Sequence, residues 1–260
     1  MGITKLLRKI ATGSSDACYI DEDNTSNSFT RPVGITTQLA SIAVKHEGED
    51  IVIQRNQDSD TRMSDLFTKT SRPCPPFCIQ PMSISSGVET IGELEMLEYL
   101  QQANTDNSIM IVDSRIQEWV DKGTIPSSVH IPWTSLTFGN DTTLNTIITV
   151  LSKRFGVKVA KGANTGDIRE ALTNDKINDY LDFTNAKTLV VYCNGSWCGQ
   201  TSEAIKALLH LSYPKEKLKY YRDGMQGWVS LGLTTIVSSD VCKTKEPVCK
   251  NAPYRVISSK

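Results

Sequence analysis

The 260-residue sequence is short of several things, and each shortage narrows what it can be. It has no apolar run approaching the 18 or so residues of a membrane span, and its first residues, "MGITKLLRKIATGSS", lack the apolar core of a secretory signal. The chain is therefore expected to be cytoplasmic, away from membranes. It has no basic excess and no acidic tail, the formal charge being −1, so nothing points to nucleic acid. Only three histidines are present, 46, 130 and 210, scattered and without a local signature that pairs one with a nucleophilic cysteine. Structural or surface roles are expected for all three.

Cysteine is not scarce: there are seven, at 18, 74, 78, 193, 198, 242 and 249. An odd count in a chain of this length without a secretory signal favours reduced thiols with individual roles over a disulfide framework. Cys74 and Cys78 in "CPPFC" have metal-ligand spacing, but tetrahedral sites need a second pair, and Cys242 with Cys249 is a poor one. No metal and no organic cofactor is expected.

Apolar content of 39% supports a real core, organised as a main domain with a smaller appendage. Residues 1 to about 35 are rich in Ser, Thr, Asn and Asp and read as poorly ordered. "SIAVKHEGEDIVIQR" then alternates on both sides of Glu47-Gly48-Glu49, a hairpin signal. "SRPCPPFCIQP" packs four prolines into eleven residues and marks a stiff, extended connector. These pieces make up an N-terminal extension, residues 1–85.

Residues 86–240 read as one α/β domain. Thr90 with Glu93 suggests a capping box, followed by Ile91, Leu94, Leu97 and Leu100 at helical spacing. "SIMIVDSR" and "SVHIP" read as buried strands, with one helical turn "EWVDKG" between them. Leu144, Ile147, Ile148, Leu151 and Phe155 form the apolar face of a helix that Gly156 stops. After a less regular stretch come the strand "TLVVYC", a helix from about Thr201, the strand "LKYY", the turn "RDG" and a short helix "MQGWVSLG". Strands alternating with helices make a parallel sheet flanked by helices. Trp119, Trp133 and Trp228 fall at core positions, and residues 241–260 form a C-terminal tail.

Sites in such sheets form beyond the carboxyl ends of the strands, where Cys193 stands. Unpaired N–H groups and the positive end of the following helix favour a thiolate there, so the Cys193 pKa is expected below that of a free thiol. Gly195 and Gly199 let the loop curl so that its N–H groups turn inward as an anion nest. The bland alternative is that Cys193 is a small apolar residue closing a strand. Two glycines and two thiols in one loop weigh against it. Cys198 is either a resolving thiol that reaches Cys193 or a bystander packed beside Trp197, which itself walls the pocket or covers the core.

"IVDSRIQEWVDKGTIPSSVHIP" and "VVYCNGSWCGQTSEAIKALLHLSYPKEKLKYYRDGMQGWVSLGL" resemble, in order, the two signatures of the rhodanese family, over roughly Thr90 to Val237. The resemblance implies a rhodanese-like fold and a sulfurtransferase. Cys193 would take a sulfane sulfur from a small donor, thiosulfate or a persulfide, hold it as a persulfide, and pass it to a thiol, protein or cyanide acceptor. The binding loop would be Asn194, Gly195, Ser196, Trp197, Cys198, Gly199, Gln200 and Thr201. This loop departs from the common one in being longer and in carrying no Arg or Lys, which disfavours thiosulfate and the phosphoryl or arsenate chemistry of related enzymes. Thr124, where many relatives have His, reads as structural. Arg222 is the nearest candidate cation, Asp113 and Arg115 are expected to brace loops, and Cys74 and Cys78 are auxiliary candidates as sulfur acceptors, redox partners or plain connector residues. Two other classes stay open: a thiol–disulfide oxidoreductase using Cys193 with Cys198, and an inactive module that binds a partner. The oligomeric state is not legible.

Overall fold

The alternation of apolar and polar residues between Ser41 and Gln54 produces the first element pair of the computed structural model, which describes residues 32–58, 60–63, 65–138, 144–244 and 254–257. Strands β1 (Ser41–His46) and β2 (Glu49–Gln54) pair antiparallel, and the turn has positive φ at both Glu47 and Gly48. That conformation matches the twist of the flanking strands. A short helix α1 (Asp65–Thr68) follows, then β3 (Glu89–Ile91), α2 (Glu93–Ala103), β4 (Ile109–Asp113), α3 (Gln117–Val120), β5 (Val129–His130) and α4 (Leu144–Lys153). The stretch expected to be less regular holds β6 (Lys158–Val159), α5 (Thr165–Thr173) and β7 (Leu181–Asp182). Last come β8 (Thr188–Tyr192), α6 (Gln200–His210), β9 (Leu218–Tyr221), α7 (Gly224–Ser230), β10 (Thr235–Ser238), α8 (Ser239–Thr244) and β11 (Tyr254–Ile257).

The central sheet has the order β3-β9-β8-β4-β5 with every pairing parallel. Because side chains alternate along a strand, successive residues feed opposite layers. Val112, Leu189, Val191, Leu218 and Tyr220 pack under α4, α5 and α6 with Leu144, Ile147, Leu151, Ile168, Ile205 and Leu208. Ile111, Val190, Tyr192 and Tyr221 face the other way, onto Met96, Leu97, Leu100 and Trp228. The hairpin closes that second layer, with Ile42, Val44, Ile51 and Ile53 belonging to the same cluster. The expected parallel sheet between helices is thus what the chain forms.

The capping interaction of α2 is two residues later than expected: the Glu95 carboxylate accepts from Gly92 N–H at 3.0 Å, and Thr90 lies in β3 with its hydroxyl bonded to the Met82 carbonyl. Leu94 is exposed and Met96 is buried in its place, because the helix meets the sheet through the stripe formed by 96, 97 and 100. Trp228 is a core residue, whereas Trp119 and Trp133 are only half-buried. The expectation of disorder for residues 1 to about 35 falls almost entirely outside the described residues. Among the described residues no helix is long and apolar enough to cross a membrane.

Candidate active site

The strand β8 delivers Cys193 to the carboxyl edge of the sheet, and the segment 194–199 carries the chain to α6. The base of this loop is clamped from below by the start of α7. Met225 N–H donates to the Cys193 carbonyl at 3.0 Å and Gln226 N–H to the Asn194 carbonyl at 2.9 Å. So close an approach requires glycine at 224, where φ is +51° and an added methyl would stand 2.3 Å from the Cys193 oxygen. Cys198 N–H donates to Gly195 O at 2.9 Å, which curls the loop back on itself.

That curl brings the Cys193 and Cys198 Cα atoms to 6.3 Å, inside the range a disulfide spans, and the two are bonded. Both are buried, at 3% and 6% exposure. Cys74 and Cys78, with Cα atoms 4.7 Å apart, form a second disulfide, and Cys242 is disulfide-bonded as well. The expectation of separate reduced thiols is therefore corrected: the backbone curls at 193–198 and 74–78 bring each pair of sulfurs within bonding reach, and both pairs are joined. Cys198 is the partner of Cys193, not a bystander. Cys18 and Cys249 lie outside the described residues.

The amides of Asn194, Gly195, Ser196, Trp197 and Gly199 donate to no protein acceptor among the described residues, and α6 has no side-chain N-cap. They are available to an anion, as the helix dipole also favours. Thr201, in the first turn of α6, shares a 2.8 Å hydrogen bond with Ser114, whose hydroxyl also donates to Tyr192 O at 2.7 Å. Gln200 keeps a buried side-chain oxygen without a partner.

Asp113 and Arg115 brace the site from beneath, as expected. Arg115 Nε and Nη2 bond the two carboxylate oxygens at 2.8 and 2.6 Å, and both side chains are 1% exposed. Nη2 also donates to Gly123 O, and Nη1 to Trp119 O and to Asn194 Oδ1 in the loop. Burial alone would raise the Asp113 pKa, but the Arg115 charge and hydrogen bonds from Arg115 and Thr124 outweigh it and hold the carboxyl below its ordinary value. Burial beside this carboxylate pushes the Tyr192 hydroxyl far up, so it stays a neutral member of the network with Thr124 and Ser128. Thr124 is structural.

The histidines are engaged elsewhere: His46 Nδ1 accepts from Ser127 N–H, His130 Nε2 meets Arg115 O, and the His210 ring packs on Phe138. Among the described residues no cluster of three or more His, Cys, Asp or Glu could hold a metal ion.

The proline-rich segment lies across the loop as a strap. Gln80 N–H donates to Ser196 O at 2.8 Å, and the Phe77 ring meets Trp197 edge-on at 5.6 Å. Arg222 is committed to the strap: Nε and Nη2 donate to Gln80 O, and Nη1 lies 3.6 Å from Asp223. The cation over the loop is instead Arg72, stacked 3.9 Å from the Trp197 ring, with Nη2 bonded to Leu66 O. Trp197 is further held by Nε1 donating to Gln226 Oε1 at 2.7 Å, and Gln226 Nε2 donates to Phe67 O. Sequence reasoning missed Arg72, Phe77, Gln80 and Gln226. For the first three the only signal was the stiffness of a segment too proline-rich to be mere slack chain; Gln226, in α7, had none.

The family model for the rhodanese-like domain matches residues 96–231, more than half of the chain. No curated protein matches it. Similar solved structures include a protein of unknown function from Rhodopseudomonas palustris described as a possible tyrosine phosphatase, 14% identical over 57% of this chain and 85% of that one, with a TM-score of 0.34. An uncharacterized protein from Saccharomyces cerevisiae is 18% identical over 56% of this chain and 95% of that one, with a TM-score of 0.32. The rhodanese-like domain of an Anabaena protein is 14% identical over 68% of this chain and 95% of that one, with a TM-score of 0.34.

Proposed function

Because the chain belongs to the rhodanese-like domain family, we propose that it is a sulfurtransferase whose nucleophile is Cys193 and whose resolving thiol is Cys198. The observation that carries this reading is the pairing of the two sulfurs in a loop where the amides of Asn194, Gly195, Ser196, Trp197 and Gly199 have no protein acceptor among the described residues.

In the reduced form the loop amides and the dipole of α6 lower the Cys193 pKa and supply the thiolate. The thiolate attacks the outer sulfur of a persulfide or thiosulfate donor, a sulfur–sulfur bond breaks, and the donor leaves as thiolate or sulfite. Cys193 then carries a persulfide whose terminal anion the same amides stabilise. An acceptor thiolate takes that terminal sulfur and restores the Cys193 thiolate. When no acceptor arrives, Cys198 attacks Cys193 Sγ and expels hydrosulfide. The sulfane sulfur is thereby reduced, the two thiols are oxidised, and the observed disulfide results.

A persulfide donor fits better than thiosulfate. Among the described residues Arg222 is bonded to the strap and Arg72 is stacked on Trp197 with Nη2 on Leu66 O, so each of these two cations spends part of its guanidinium on the protein, although Arg72 Nε keeps no protein partner.

The disulfide itself favours a second reading, thiol–disulfide exchange with a partner protein through Cys193–Cys198 without sulfur transfer. The test is to reduce the protein, remove the reductant, add a persulfide donor and map the peptides by mass. One added sulfur on Cys193, abolished in a Cys193→Ser variant that still folds, is expected. Sulfur transfer retained by Cys193→Ser overturns the proposal, and oxidation of the pair with no sulfur ever added to Cys193 supports exchange instead.

A further inference from the structure

The resolving step leaves Cys193–Cys198 oxidised and buried, with a strap over the loop that holds it. A small reductant can reach such a bond; the active-site face of a reducing protein is too broad to do so. The strap carries a disulfide of its own. Cys74 is exposed and Cys78 half-buried, so this second bond is open to solvent where the first is not.

The contacts between the two disulfides run through their immediate neighbours. Phe77, adjacent to Cys78, packs its ring on Trp197, adjacent to Cys198. Gln80 Nε2 donates to the Cys78 carbonyl at 2.8 Å, and the same nitrogen would lie 3.5 Å from a methyl placed on Gly199. One side-chain amide is thus bonded to the backbone of Cys78 and lies beside Gly199, the residue after Cys198. Gln80 N–H to Ser196 O and the Arg222 bonds to Gln80 O fix this register. A role as a structural staple accounts poorly for the strap disulfide: it closes a loop of sequence separation 4 around two prolines, where little chain entropy remains to be removed.

We propose that Cys74–Cys78 is the receiving couple of a two-disulfide relay that regenerates the active site. This rests on the reading of Cys193–Cys198 as a working pair. An external protein dithiol of the thioredoxin class attacks Cys74, the exposed sulfur, and leaves oxidised while the strap becomes a dithiol. The Cys78 thiolate then attacks Cys198 Sγ and breaks the Cys193–Cys198 bond, releasing Cys193 as thiolate and forming a Cys78–Cys198 mixed disulfide. Cys74 attacks Cys78, restoring the strap disulfide and releasing Cys198. Two electrons enter at the strap and two arrive at the loop, and one dithiol on the external protein is consumed, ending as a disulfide.

The test follows reduction of Cys193–Cys198 in the oxidised full chain by alkylation and peptide mass mapping, with thioredoxin as the protein reductant and tris(carboxyethyl)phosphine as the small one. Cys74→Ser/Cys78→Ser is expected to slow reduction by thioredoxin at least tenfold while the phosphine still opens the buried bond at its former rate. A second variant, Cys74→Ser/Cys193→Ser, keeps only the two exchanging sulfurs in this region and is expected to trap a Cys78–Cys198 disulfide under mild diamide oxidation. Equal thioredoxin rates in the wild type and the first variant, or absence of that crosslink in the second, overturns the relay. Since both readouts are disulfide states, failure of sulfur addition at Cys193 overturns the proposed function and leaves them untouched.

Discussion

Replacing Gly224 by Ala tests whether the start of α7 positions the loop. The methyl would sit 2.3 Å from the Cys193 carbonyl oxygen and 2.9 Å from its carbon, both backbone atoms that cannot rotate aside. An L-residue at φ +51° costs about 1–2 kcal/mol by itself. Relieving the contact pushes the 193–195 backbone away by about 1 Å and forfeits the Met225 N–H to Cys193 O bond, about 0.5–1.5 kcal/mol. The expected destabilisation is about 1.5–3.5 kcal/mol, a large part of the ~5–15 kcal/mol that holds a domain together. Urea unfolding of the oxidised protein measures it. Persulfide formation by the reduced variant is expected to fall by about 100-fold, the usual consequence of a misplacement near 1 Å. Gly232→Ala is the control, for it has φ +67° but a nearest contact of 3.4 Å, so it incurs the backbone cost without displacing the loop. If Gly224→Ala unfolds at the same urea concentration as Gly232→Ala and accepts sulfur at the wild-type rate, the clamp does not set the loop geometry.

Asp113→Asn leaves the Arg115 guanidinium buried without its counter-charge, a loss of about 3–5 kcal/mol in urea unfolding; a variant within experimental error of wild type contradicts the bracing role. His46 supplies a pH test. Burial lowers its pKa from 6.5 against the opposing pull of Glu47 and Glu49, and Ser127 N–H needs the Nδ1 lone pair. The unfolded chain therefore takes up a proton first, so stability is complete above about 6.5 and declines as pH falls through that value toward the folded pKa. Thermal unfolding between pH 7.5 and 5.5 should show this decline in the wild type and lose most of it in His46→Gln; an unchanged slope in the variant rules it out. This window lies above the one in which Asp113, with its depressed pKa, begins to lose its contribution.

The fold was largely legible because its determinants are local. "SIMIV" and "TLVVY" are too apolar for any strand but a buried one, Leu144 to Leu151 repeat at helical spacing, and Glu47-Gly48 supplies the positive φ a tight hairpin needs. The expected bracing by Asp113 and Arg115 was local too, since residues two apart across a bend can meet through their own side chains. Leu94 was misassigned and Met96 was not singled out, because only the neighbours of α2 decide which flank of Leu97 and Leu100 is covered.

The loop was legible in the placing of Cys193 and not in its surroundings. That Cys193 ends a strand ahead of a helix is a property of some fifteen consecutive residues, and so is the curl that Gly195 allows. Whether that curl closes far enough to join Cys193 to Cys198 depends on α7 pressing up from beneath, some thirty residues later. The strap is more remote still: Arg72, Phe77 and Gln80 meet Trp197, Ser196 and Arg222 across more than a hundred residues. Patterning reports which residues leave water, because burial is repeated along the chain with the period of the element. It carries no information on which polar groups meet, since each such contact is made once, by two surfaces that only the completed fold brings together.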